Sequence, residues 1–255
     1  MQSPSRRIEI IAITGLPQVQ EGDDLAAMIV DASTRQGTPL AAEDVVVVAQ
    51  KVVSKAEGAY VDLARVVPSD RAIELGATVQ KDPRLVEVVL QQTAKIIRAT
   101  PGVLITETIH GLVCANAGVD SSNSALDGRV ITLPLDSDDS ARIIRSRLES
   151  LVGVPLAVIV SDSFGRPWRE GSMNVAIGVA GIEPLDDSRG HEDDHGRMLA
   201  ATIVAVADEV ASAAQLLMGE FGGVPAAIVR GANLDRSDSA DARALQRNPR
   251  FDLFR

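Results

Sequence analysis

The stretch VVVVAQKVVSK, residues 45–55, decides how the chain folds. Its four valines have strand length but no apolar–polar alternation, so they read as a strand that is fully buried. That strand delivers Gln50, Lys51, Ser54 and Lys55 at its end, a position that often carries a site. A second buried run, PLAVIV at 155–160, ends in SDSFGR at 161–166.

Working outward, residues 8–13 alternate and are β-branched, predicting a first strand that runs into the turn Gly15-Leu16-Pro17. Asp23 or Asp24 caps a helix with Leu25, Met28, Ile29 and Ala32 on one face, ending near Gly37. Asp82-Pro83 starts another, which the pattern carries to about Arg98. Strands are expected at 103–106, 112–115 and 130–133. Asp138 or Asp139 caps a helix burying Ile143, Ile144, Leu148, Leu151 and Val152. Residues 204–217 form an alanine-rich helix with Ala207, Val210, Ala214 and Leu217 inward, and 224–229 a closing strand. Helices and strands mix without a repeat, which predicts an irregular α+β fold of mixed sheets, neither doubly wound nor a barrel. At 255 residues one core or two small intertwined ones can be buried, and residues 1–255 read as a single domain.

Composition is that of a soluble globular protein, with 45% hydrophobic and 24% charged residues and no run long enough for a membrane helix. The start reads as a strand, not a signal peptide. Cys114 is the only cysteine, which excludes an intramolecular disulfide and a cysteine-based zinc site and fits the cytoplasm. A net charge of −10 argues against nucleic acid as a partner. Anionic ligands would have to be met by local basic residues, backbone N–H groups or bound cations.

The densest polar segment is DSFGRPWREG, 162–171. Asp162 and Ser163 offer hard oxygen donors for magnesium or manganese, and Arg166 and Arg169 offer forks for carboxylate or phosphate. A capped turn with surface ion pairs is the alternative. In AGVDSSNS, 117–124, Asp120 and Asn123 are oxygen donors that serve a turn equally well. Lys51 and Lys55 are either phosphate-neutralising ammoniums or a solvated pair. Around Glu220, Gly219, Gly222 and Gly223 either admit a ligand to the backbone or stop a helix. The pattern His191-Glu192-Asp193-Asp194-His195 matches that of zinc hydrolases, but its flanking Gly190 and Gly196 and three successive acids favour a loop over the helix that motif needs. Neither a GxxxxGK[ST] loop nor a GxGxxG fingerprint occurs, and Cys114 reads as a small core residue.

Read together, GLPQVQEGDDL, VVVVAQKVVSKAEG, ITET with GLVCANAGVDSSN, VIVSDSFGRPWREG, NVAIGVAGI and AVADEVASAAQLLMGEFGGVPAAIVRG closely resemble the ligases that add L-glutamate to the coenzyme F420 precursor, F420-0. The resemblance spans nearly the whole chain. It implies amide formation dependent on GTP and on magnesium or manganese, with potassium as a further cation. Further glutamates would follow through γ-linkages, on a homodimer of two-part α+β subunits. Carried over, the nucleotide contacts are Leu16, Pro17, Gln18, Val19, Gln50, Lys55, Asn123, Met218, Gly219, Glu220, Phe221, Gly222, Gly223, Val224 and Pro225. The metal ligands are Asp120, Asp162, Ser163 and Glu220, and Lys55 assists phosphoryl transfer. Arg166 and Arg169 are assigned on their own chemistry to the carboxylates of glutamate or the phosphodiester of the precursor. Ser163 stands where relatives more often carry threonine, and Glu220 at an amide position would add charge to the second metal site. A C-terminal nitroreductase-like domain, fused in some relatives, is not expected here. The competing expectations are a silent nucleotide-binding regulator on the same scaffold and a zinc hydrolase built on His191, Glu192 and His195.

Overall fold

The computed structural model describes residues 7–121, 128–193, 195–219 and 222–253. The central sheet contains β1 (Glu9–Ile13), β2 (Val45–Ala49), β8 (Ala157–Arg166), β9 (Arg169–Ala180) and β12 (Ala226–Arg230), in the order β1-β12-β2-β8-β9. Only β2 and β8 are parallel; the other neighbours are antiparallel. Val45, Val46, Val47 and Val48 are all within 1% of complete burial. Val46 and Val48 pack with Val158 and Val160 beneath α1 (Leu25–Arg35) and α5 (Ser137–Val152), whereas Val45 and Val47 pack with Ile159 under α6 (Val206–Met218). Two apolar layers thus explain why β2 shows no alternation.

Between α2 (Gln50–Ala56) and α5 the chain builds a third core from Leu63, Val79, Val86, Leu104, Val119 and Val130. It holds α3 (Asp70–Val79), α4 (Pro83–Gln91), the sheet of β4 (Thr93–Thr100), β5 (Val103–Thr108) and β6 (Val113–Ala115), and the pair β3 (Tyr60–Asp62) with β7 (Arg129–Ile131). Two short strands, β10 (Asp186–Asp187) and β11 (Ile203–Val204), pair antiparallel. The fold is α+β with mixed sheets, as expected.

Several expectations need correction. The helix begun at Pro83 stops at Gln91 and not near Arg98: the Thr93 hydroxyl takes the Val89 carbonyl at 2.6 Å, and the β-branched run that follows pairs with β5. The N-cap of α5 is Asp136, whose carboxylate accepts from Asp139 N at 2.9 Å, while Asp138 and Asp139 occupy the first turn. The buried stripe of α5 is Ala141, Ile144 and Leu148, at i, i+3 and i+7, which turns Ile143 and Leu151 to solvent. The same geometry on α6 buries Met218 and exposes Leu217. Finally, β8 does not end at Val160 but runs through the polar residues to Arg166. A turn at Pro167-Trp168 returns the chain as β9, with Trp168 at φ 61°.

Asp138 ties α5 to its surroundings: its Oδ1 accepts from Val179 N and Ala242 N, both at 2.8 Å. Burial pushes its carboxyl above the ordinary aspartate range against those donors, assisted by the charges of Asp241 and Asp136. The folded protein therefore holds this proton to higher pH than the unfolded chain. The stabilisation is complete below the unfolded value of 3.8 and is lost as pH rises through the raised folded value. Asp138→Asn, uncharged throughout, removes that decline. Thermal unfolding from about pH 4 to about pH 7 should show the variant gaining on the parent as pH rises; parallel Tm curves would contradict the assignment.

Candidate functional site

A cleft of about 530 Å³ opens beside the carboxyl end of β2. Leu16, Pro17, Gln18 and Val19 line it from the loop after β1, and Gln50, Lys51, Val52 and Lys55 from α2. Asp162 and Ser163 come from β8, Met218 and Gly219 from the end of α6, and Gly223, Val224 and Pro225 from the approach to β12. The opposite wall belongs to the third core's segment and includes Cys114, Gly118 and Asp120. Asp120 is fixed there by reciprocal backbone bonds with Ile131, at 2.8 and 3.0 Å. Asn123, Glu220 and Phe221 lie outside the described residues, and Gly222 is not among the lining residues.

The oxygen donors are arranged with some care. Asp162 Oδ1 accepts from Ser163 N at 2.9 Å, and the Ser163 hydroxyl donates to Asn174 Oδ1 at 2.8 Å. A hydroxyl that gives its proton to an amide presents lone pairs, the form a hard cation requires. Asn174 is itself held: its Nδ2 donates to Ser161 Oγ, its N to Gln215 Oε1, and its carbonyl accepts from Ser212 Oγ. The Lys51 ammonium stands 2.7 Å from Asp120 Oδ2. Two carboxylates and one hydroxyl fit magnesium or manganese, which take few protein ligands and complete their shell from water and substrate oxygens. No cluster of three or more His, Cys, Asp or Glu suited to a metal occurs among the described residues.

Gln50 is buried, and its Nε2 donates to Ser54 Oγ at 2.6 Å and to Thr132 O at 3.1 Å, so its carbonyl oxygen is the group it can offer a ligand. Burial pushes the Cys114 thiol up to about 12, with the Asp162 charge adding to the effect; Cys114 is a wall of the cleft with no thiolate character. Arg166 and Arg169 sit farther out on the β8–β9 hairpin and do not line the cleft. The Arg166 guanidinium donates to the carbonyls of Glu170 and Gly171. His191 and His195 lie in a turn, where Asp193 Oδ1 accepts from His195 N and Arg197 N. The described residues of that segment form no helix to set two imidazoles on one face, which removes the basis of the zinc reading.

Between β6 and Asp120 the backbone turns through Asn116, Ala117 and Gly118 at φ 51°, 53° and 71°. A left-handed conformation costs an L-residue about 1–2 kcal/mol, so this turn must be held by its surroundings.

Residues 14–231 match the family model described as F420-0:Gamma-glutamyl ligase. The chain belongs to that family. Among its relatives is a protein of Methanothermobacter thermautotrophicus named coenzyme F420:L-glutamate ligase, 45% identical over 97% of this chain and 99% of its own length. Proteins of the same name from Methanopyrus kandleri and Methanocaldococcus jannaschii are 47% and 40% identical, covering 99% and 100% of this chain and 98% and 100% of their own lengths. The site residue missed from sequence is Asn174; Lys51 is a candidate in the sequence, but its pairing with Asp120 is not legible there. Asn174 sits in an apolar run, and only its register opposite Ser163 reveals its role.

Proposed function

We propose that this chain joins L-glutamate to the coenzyme F420 precursor in a reaction dependent on GTP and a divalent cation, and then adds γ-linked glutamates. The observation that carries this reading is that Asp120 and Asp162, from two separately packed parts of the chain, line one cleft with two lysines. Family membership and the names of the relatives support its coarser part, the ligation of L-glutamate in F420 formation.

Amide formation from a carboxylate and an amine in water is uphill, so the carboxylate must first be activated. Transfer of the γ-phosphoryl of GTP to a precursor carboxylate oxygen gives GDP and an acyl phosphate. The glutamate amine then attacks the carbonyl carbon, forming the amide and releasing phosphate and the amine's proton. Magnesium or manganese, held by Asp120, Asp162 and Ser163 with Glu220 as a further ligand, would supply charge neutralisation at the phosphates. Lys55 adds a point charge, and Asn174 keeps the Ser163 hydroxyl oriented. Residues 16–19 and the segment around Gly223 hold the nucleotide, together with Gln50 and Asn123. Arg166 and Arg169, on the hairpin whose base lines the cleft, grip substrate carboxylates or the precursor's phosphodiester. The outer part of this hairpin is largely exposed, and the chain is read as acting in a homodimer.

Incubating the protein with F420-0, glutamate, GTP, manganese and potassium should give products heavier by successive glutamyl units, with one phosphate released per unit. Tight GTP binding without product in the presence of both substrates would instead establish a silent nucleotide-binding regulator.

A further inference from the structure

The strained turn at 116–118 is clamped from the third core. Lys81 Nζ donates to Asn116 Oδ1 at 2.9 Å. Lys81 is itself rigidly placed: it follows Gln80, the left-handed C-cap of α3, and its N–H is bonded to Gly76 O at 3.0 Å. Further contacts close the turn. Val119 N–H donates to Asn116 O, and the Leu133 side chain fills the space a Gly118 Cβ would need. Two residues beyond Gly118 stands Asp120, with its backbone paired to Ile131 and its side chain in the cleft. Lys81 does not line the cleft.

We propose that Lys81 is a positioning residue for the divalent-cation site: its bond to Asn116 holds the left-handed turn, and the turn sets where Asp120 stands. This rests on reading Asp120 as a cation ligand. The alternative role for Lys81, a charge acting through space, predicts the opposite sign. Removing a positive charge from the vicinity of a cation site leaves cation binding unchanged or tightens it. A loss of affinity therefore reports position and not field.

The test is manganese affinity of the GTP complex, read from the paramagnetic resonance of free Mn²⁺. Lys81→Met should weaken binding about tenfold, the scale of outer-shell partners of metal ligands. Asn116→Ala removes the acceptor and, at φ 51°, also gives up asparagine's tolerance of the left-handed region, so its loss should be at least as large, and the double variant should be no worse than Asn116→Ala alone, because Lys81 then has no acceptor left to lose. Adding Ala117→Gly to Lys81→Met should restore most of the affinity, since glycine adopts positive φ without a clamp. Unchanged or tighter binding in Lys81→Met, with Asp120→Asn impaired, overturns the positioning role alone. Undiminished binding in Asp120→Asn overturns the ligand assignment and this inference with it. Should Lys81→Met not fold, Asn116→Ala decides by the same threshold.

Discussion

Asp162→Asn should leave the protein folded and lower turnover by on the order of 10³-fold, the scale of losing a principal group that stabilises transition-state charge. Asparagine keeps the size of the side chain and can still accept from Ser163 N, the bond that Asp162 makes within its own turn of backbone. None of the three cores uses this side chain, so Tm should hold. On the proposed function, what changes is the charge presented to a divalent cation beside the triphosphate. Product formation with F420-0, glutamate and GTP, followed by mass, measures the loss, and manganese affinity locates its cause. Turnover within a few-fold of the parent would remove Asp162 from the reaction.

The second large effect is on stability. Gly178, on β9, has ordinary backbone angles, yet a Cβ built there would lie 2.0 Å from Ser137 O and 2.4 Å from Ser137 C. Ser137 opens α5, whose N-cap Asp136 and buried Asp138 leave the helix little freedom to retreat. Gly178→Ala should therefore destabilise by about 3 kcal/mol, at the upper end for overpacking. In a chain of this size that is a fall in Tm of roughly 10 °C. Gly165→Ala on the same hairpin is the control: nothing lies within 4 Å of its Cβ, so its Tm should be unchanged or slightly raised. Equal Tm values for the two variants would show that α5 can shift away from β9.

What could be read from sequence followed local periodicity. β2, α1, α6 and the closing strand β12 all announce themselves through burial patterns spanning a few residues. The outer half of the β8–β9 hairpin does not, because a strand exposed on both faces reads as polar loop. The end of α4 was equally hidden, since only the pairing of β4 with β5 converts residues 93–98 from helix to strand. In the site, Asp162 and Ser163 stand out as dense polar chemistry after a buried strand, whereas Asp120 and Lys55 read equally well as a turn residue and a solvated lysine and enter through the family resemblance. The roles of Lys51 and Asn174 depend on partners 69 and 11 positions away, which no local pattern encodes.

The cleft's acidic pair comes from two bodies with separate interiors: Asp162 from the central sheet, Asp120 from the segment inserted between α2 and α5. Anything gripped by both carboxylates works as a clasp. Pulling the bodies apart then means releasing the occupant, so loading the cleft resists that opening by mass action, and the chain's mechanical cohesion becomes a function of what it holds.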